Sequence, residues 1–191
     1  MDAYDLIVIG AGAAGLAATR AARKAGRRVA LVERARPGGD CTHFGCVPSK
    51  TLLDVAHRVA GARQAQQWGL ESIGDVAFGK VMAHLHEVIA QIQQDEGPEQ
   101  LAVGLDLIDG WARFTSSHTV DVAGHALSAR RFVQATGAHA AIPPIPGLDQ
   151  VGYLDNRTLF SLTDRPEHLL VMAAARSASS SRRHSPVSEP T

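Results

Sequence analysis

The sequence predicts an α/β fold built on a parallel sheet, and three observations predict it. A compact apolar run, DLIVI at residues 5–9, leads directly into the glycine loop GAGAAG. An alanine-rich stretch, LAATRAARKAG, follows and closes on Gly26. A second apolar run, RVALVER, comes next. Strand, glycine turn, helix and strand in that order normally build a parallel sheet, because the crossover helix carries the chain back to the end where the first strand began.

The first run is rich in β-branched residues, Ile7, Val8 and Ile9, as expected for a strand covered on both faces. In the loop, Gly10 permits the tight turn out of the strand and Gly12 lets a pyrophosphate approach the backbone. Gly15 lets the helix pack closely on the sheet. Phosphates would rest on the free N–H groups of the helix N-terminus. Glu33 ends the second strand, where a carboxylate can bind ribose hydroxyls. A glycine-rich turn without a ligand is the alternative reading, and the loop by itself does not choose between FAD and NAD.

Beyond the segment GGDCTHFGCVPSK, Leu52, Val55, Ala56 and Val59 recur at helical spacing. Val81, Leu85, Val88, Ile89 and Ile92 mark a second, longer helix, which Gly97 and Pro98 punctuate. From about 105 to 136 the pattern changes to short strands, LDLID, WARFT, HTVDV and RRFVQAT, read as a small antiparallel sheet laid over the nucleotide fold. AIPPIPGL is an extended proline-rich connection, and EHLLVM at 167–172 reads as the start of another buried strand.

Bulk properties narrow the function. The chain carries 19 basic and 19 acidic residues for a formal net charge of zero, so electrostatics does not draw it to nucleic acid or an anionic membrane. No apolar run approaches the ~20 residues of a membrane span, and the acidic start lacks the pattern of a signal peptide. A cytoplasmic protein is expected.

The only two cysteines, Cys41 and Cys46, sit five positions apart. They could be inert thiols, part of a metal site with His43, or a redox pair. Cys-x-His-x2-Cys offers only three ligands, short of a structural zinc site, so no metal is expected. The redox reading has a mechanism, because residues from about 45 onward read as helical. The N-terminus of a helix favours the thiolate, and Lys50 adds positive charge one turn on. His84 and His86 lie two apart on a helix and face different sides, so they read as solvated surface, as do His57 and Arg58. Trp68 and Trp111 read as packing residues rather than stacking platforms.

Taken together, these residues resemble the class I pyridine nucleotide-disulfide oxidoreductases, which include dihydrolipoamide dehydrogenase, glutathione reductase and mercuric reductase. The resemblance covers residues 1 to about 172. It rests on the glycine loop, Glu33, the spaced cysteines, the Val-Pro-Ser-Lys tail and ATG at 135–137. It implies a Rossmann-type FAD-binding domain with a parallel sheet plus a small antiparallel β-meander, FAD as cofactor and NAD(P)H as co-substrate. By the same resemblance, Ala13 and Ala14 join Gly10, Gly12 and Gly15 around the phosphates, with Gly39 and Asp40 nearby. Ala112 and Thr136-Gly137-Ala138 match backbone segments that contact FAD. Cys46 would stack on the flavin as a charge-transfer thiolate, Cys41 would exchange with substrate, and Lys50 would lie beside the flavin's reactive edge. The implied partner is a small-molecule disulfide or other electron acceptor, without nucleic acid or membrane.

Some positions depart from that pattern. Asp40 replaces the usual threonine, Thr42-His43-Phe44 differs from the dihydrolipoamide dehydrogenase form, and Ala138-His139-Ala140 stands where Ser-Arg-Pro is typical. The expected organisation is an incomplete FAD-binding domain over 1–150 and a connection with the first strand of an NAD(P)-binding domain over 151–172. A disordered tail over 173–191 completes it. That tail is serine- and arginine-rich where a second glycine loop is due. Restoring one base after the Met172 codon, with suitable synonymous codons, turns it into such a loop and helix, so a frameshift is expected. In the family a segment that returns after the NAD(P) domain completes the FAD domain, and the homodimer partner's C-terminal domain supplies the catalytic histidine. Weak or absent FAD retention and no complete turnover are therefore the expectation for this chain. Two rival readings are another flavoprotein with an incidental cysteine pair and a non-catalytic nucleotide-binding fragment.

Overall fold

The computed structural model describes residues 2–69, 71, 74–95 and 105–172. The chain divides into two compact units, Met1–His43 with Ala90–Pro143, and Phe44–Ile89 with the residues from Pro144 onward.

The first unit is organised around one six-stranded sheet. Its strands are β1 (Asp2–Ile9), β2 (Val29–Glu33), β3 (Asp106–Asp109), β4 (Ala112–Ser116), β5 (Thr119–Val122) and β6 (His125–Gln134). Their spatial order is β3-β2-β1-β6-β5-β4. β1 pairs in parallel with β2 and with β6, and β2 in parallel with β3. β4, β5 and the start of β6 pair antiparallel as a meander.

Helix α1 (Ala13–Lys24) supplies the crossover between β1 and β2. It ends where Gly26 adopts a φ of 69°. There the Gly26 amide bonds the Arg23 carbonyl and the Arg27 amide bonds the Ala22 carbonyl, the paired closure that a left-handed glycine allows. One face of the sheet packs Val8, Leu31 and Leu105 with Leu16 of α1. On the other face Val120 and Val122 of β5 join Ile7, Ile9 and Val32, so the meander folds back over the parallel strands. Burial of both faces explains the unbroken apolar runs of β1 and β2.

Helix α2 (Gly39–Phe44) is short and leads across Gly45 into α3 (Cys46–Gln64). Within the second unit, Val47 and Leu52 of α3 meet Phe78, Met82, Leu85 and Ile89 of helix α4 (Phe78–Asp95). Phe160, from a short 3-10 turn, completes this cluster.

The α/β class, the parallel sheet and the meander are as expected, but the strand assignments within 105–136 are corrected. Only β4, β5 and the first part of β6 are antiparallel; residues 106–109 and 127–134 belong to the parallel sheet. Residues 167–172 form no strand, and Leu170 is 86% exposed. A strand needs a neighbour for its backbone groups, and none pairs with this segment among the described residues. His57, His84 and His86 are exposed, as their helical positions predicted. Neither tryptophan packs inside: Trp68 ends the 3-10 turn that continues α3, Trp111 sits at the turn between β3 and β4, and both are largely exposed among the described residues. The helix end at Gly97-Pro98 and the tail from 173 lie outside the described residues.

Candidate cofactor and redox site

The glycine loop is held by backbone contacts on three sides. The Gly10 amide donates to the Val32 carbonyl at 2.8 Å, and the Ala135 amide donates to the Ile9 carbonyl at 2.8 Å. Gly10 has a φ of 102°, and a Cβ there would lie 2.3 Å from the carbonyl oxygen of Ala135. A Cβ on Gly15 would come within 1.8 Å of the Gly10 carbonyl oxygen, so the helix rests on the loop itself as well as on Val8.

Gly12 behaves differently. Its φ is −79°, and a Cβ would meet only the Cα of Gly39, at 3.8 Å. Gly39 returns the contact at 2.8 Å with a φ of 59°, so these two backbones touch. Gly38 is fixed alongside: its amide donates to the Ala11 carbonyl at 2.8 Å, and buried Thr42 of α2 lies against it. Gly38, with a φ of 106°, was missed in the sequence; the doubled glycine was its only local signal.

Glu33 closes this arrangement. One carboxylate oxygen accepts the Ala11 amide at 2.6 Å, and the other accepts the amides of Arg34 and Ala35 at 2.8 and 2.9 Å. The Gly110 amide donates to the Glu33 carbonyl at 2.9 Å, which places Trp111 and Ala112 beside the end of β2. Ala112 itself is half-buried against the meander side of the sheet. Thr136, Gly137 and Ala138 are exposed where β6 ends, next to the loop through Ala135. Arg34 and Trp111 were not singled out as partners in the sequence, yet the Arg34 guanidinium lies 4.0 Å from the centre of the Trp111 ring.

The residues present fit a dinucleotide. Helix α1 starts at Gly12 without a side-chain cap and without an acidic residue in its first turn, and Ala13 and Ala14 are exposed there. Such an end offers N–H donors and a positive dipole to a diphosphate. Asp40, exposed in the first turn of α2, brings an acid to the same side as Gly39.

Neither cysteine is joined in a disulfide. Cys41 lies half-buried in α2, in the first unit with the glycine loop and Glu33. Cys46 is exposed as the first residue of α3, in the second unit with Lys50, which is also exposed. The α3 N-terminus has neither a side-chain cap nor an acidic residue in its first turn. His43, between the cysteines in sequence, directs Nε2 to the Pro37 carbonyl at 3.0 Å; a carbonyl only accepts, so Nε2 carries the proton. Arg157 lies over the Phe44 ring, 5.1 Å from its centre. Among the described residues no group of three or more His, Cys, Asp or Glu is placed to hold a metal ion. No helix among them is long and apolar enough to cross a membrane.

Residues 4–174 match the family described as pyridine nucleotide-disulphide oxidoreductase. The chain is 35% identical to the mercuric reductase of Lysinibacillus sphaericus over 175 residues, covering 91% of this chain and 32% of that protein. It is 37% identical to dihydrolipoyl dehydrogenase 3 of Pseudomonas aeruginosa over 186 residues, covering 91% and 39%. Among solved structures, the HOCl-induced flavoprotein disulfide reductase RclA from Escherichia coli superposes with a TM-score of 0.71 at 31% identity, covering 86% of this chain and 35% of that one. The chain therefore spans about a third of the length of the relatives it matches. A family match over most of the chain agrees with the sheet order and the loop geometry, so this chain belongs to the FAD-dependent pyridine nucleotide-disulfide oxidoreductases.

Proposed function

We propose that this chain provides the FAD-holding end and the redox cysteine pair of an NAD(P)H-dependent disulfide oxidoreductase. One observation carries the reading. The uncapped start of α1 meets Gly39 backbone to backbone, and Gly39 stands two residues before Cys41. The proposed diphosphate cradle and Cys41 are thus linked by one backbone approach and two residues of chain.

When bound, FAD supplies a ring that accepts hydride from NAD(P)H and passes two electrons to a disulfide. The protein's own groups do the rest. Amides at the start of α1 hold the diphosphate, and Glu33, charged and facing the loop, accepts from ribose hydroxyls. The backbone of Ala112 and of Thr136-Gly137-Ala138 borders the cofactor, and Lys50 brings positive charge to its reactive edge. In the oxidised state Cys41 and Cys46 are joined; two electrons and two protons convert that bond to two thiols. The Cys41 thiolate then attacks an acceptor disulfide, releasing one acceptor thiol and leaving a mixed disulfide. The Cys46 thiolate attacks Cys41 in that mixed disulfide, releasing the second acceptor thiol and restoring the internal disulfide. The acceptor is a small-molecule disulfide, and Thr42-His43-Phe44 beside Cys41 argues for one other than lipoamide.

The test uses the purified chain titrated with FAD while flavin fluorescence is followed, together with thiol counting before and after dithiothreitol. Saturable quenching, and two thiols that appear on reduction and disappear on oxidation without dimer formation, support the proposal. Absence of saturable FAD binding, or thiols that never pair within one chain, would sink it.

A further inference from the structure

Cys46 heads α3 as an exposed residue, and the chain reaches it from α2 through Gly45. The φ of −138° and ψ of −103° at Gly45 are neither helical nor extended, so the ladder of α2 does not run on into α3. What holds this junction comes from a turn far along the sequence. There the Asp155 carboxylate accepts the Thr158 hydroxyl and the amides of Arg157 and Thr158. The Asp155 amide donates to the Thr158 hydroxyl at 2.9 Å, and the Leu159 amide closes on the Asp155 carbonyl at 2.9 Å.

The turn grips the chain on both sides of the cysteine. Before it, the Arg157 guanidinium lies 5.1 Å from the centre of the Phe44 ring, a distance at which a cation and an aromatic face attract. After it, Val47 packs in the apolar cluster that the turn enters through Leu159 and buried Phe160. Met82, Leu85 and Ile89 of α4 anchor that cluster. The Arg157–Phe44 contact is the hold that lies on the far side of Gly45.

We propose that Arg157 is a positioning residue for the sulfur of Cys46. The proposal rests on the redox reading above and adds to it the group that keeps the thiol in place. By holding Phe44 against the turn, Arg157 fixes the bend at Gly45, and Cys46 stays at the uncapped start of α3. The N-terminus of a helix is where a thiolate is stabilised, so a sulfur that swings away from it is a poorer nucleophile. A guanidinium keeps its proton at any working pH, so the hold on the ring does not itself titrate.

The test follows iodoacetamide alkylation of the reduced chain by peptide mass spectrometry, with Cys41 of the same molecule as internal reference. Arg157→Ala is expected to lower the Cys46-to-Cys41 rate ratio about two- to fivefold, the scale of one exposed cation–π contact. Arg157→Lys keeps a cation for the ring and is expected to stay within about twofold of the unaltered chain. Phe44→Leu keeps the guanidinium and removes the ring. It is expected to lower the ratio as far as Arg157→Ala does, and the double variant to fall no further. Asp155→Asn, which loosens the turn with both partners still present, is expected to lower the ratio in the same direction. Circular dichroism of each variant establishes that it is folded. If Arg157→Ala lowers the ratio and Phe44→Leu does not, the charge acts on the sulfur directly and the positioning role is wrong. If neither changes the ratio, the positioning role is wrong while the redox reading stands. If the two thiols of the unaltered chain never pair on oxidation, the redox reading fails and the proposal fails with it.

Discussion

The amide of Ala11 donates a 2.6 Å hydrogen bond to the carboxylate of Glu33, tying the glycine loop to the end of β2. The same carboxylate accepts two more amides, from Arg34 and Ala35. Glu33 is therefore a structural strut, in addition to the ribose contact proposed for it. Replacing it with glutamine keeps the shape but turns one acceptor into an N–H group that faces other N–H groups. Glu33→Gln is expected to cost about 1.5–3 kcal/mol of stability in urea unfolding, the range for hydrogen bonds to a charged group. A loss of ADP affinity with unchanged stability would show that the strut is unimportant.

The three loop glycines should respond differently to alanine. Gly15→Ala drives a methyl group into the Gly10 carbonyl and is expected to destabilise the chain by about 3 kcal/mol or more. Gly12→Ala meets only a 3.8 Å contact at an ordinary φ, so its stability should stay within about 0.5 kcal/mol of the parent. Its methyl would still stand where a diphosphate approaches, so its FAD affinity should fall. Thermal unfolding and FAD titration of the pair separate the two roles; equal stability losses would contradict the geometry.

Cysteine exposure gives a third prediction. Cys46 is exposed and Cys41 half-buried. In the reduced chain Cys46 should react with iodoacetamide faster than Cys41, as peptide mass spectrometry can resolve. Added FAD should slow Cys46 selectively, because the exposed sulfur is the one the flavin would cover. Protection of Cys41 instead would reverse the roles assigned to the two thiols.

The turn that carries Arg157 depends on ionised Asp155. Its carboxylate accepts the Thr158 hydroxyl and the amides of Arg157 and Thr158, each at 2.9 Å. The Thr158 hydroxyl, foremost, and those amides hold the carboxyl below its ordinary value of 3.8, against a smaller opposing effect of burial. A depressed folded-state value means the turn is fully supported above the unfolded value. That support is lost as pH falls through the lower, folded one. Amide exchange at Arg157 and Thr158 should therefore lose protection as pH drops below 3.8, and Asp155→Asn should abolish this dependence. Protection that is flat across that window in the unaltered chain would refute it.

The nucleotide-binding half of the fold was legible because its signals are local. Glycines after a β-branched run, an alanine-rich helix and a carboxylate at the end of the next strand each constrain backbone within a few residues. The direction of strands 106–109 and 127–134 was not legible, since alternation in a strand does not record which way its neighbour runs. The run at 167–172 has strand composition, but strand formation depends on a partner rather than on composition. Trp111 misled for a related reason: burial of an aromatic follows from what folds over it, and among the described residues only the Arg34 guanidinium is shown against the ring, which stays 70% exposed. Glu33 was legible as the carboxylate that ends the second strand, but its service to Ala11 was not, because that bond joins residues far apart in sequence.

The touching backbones of Gly12 and Gly39 couple two things that are usually tuned apart. A side chain at position 39, the first residue of α2, would press on the glycine loop at Gly12. Whatever displaces the loop at Gly12 presses on the backbone two residues before Cys41, so a substitution that alters one stretch is felt by the other.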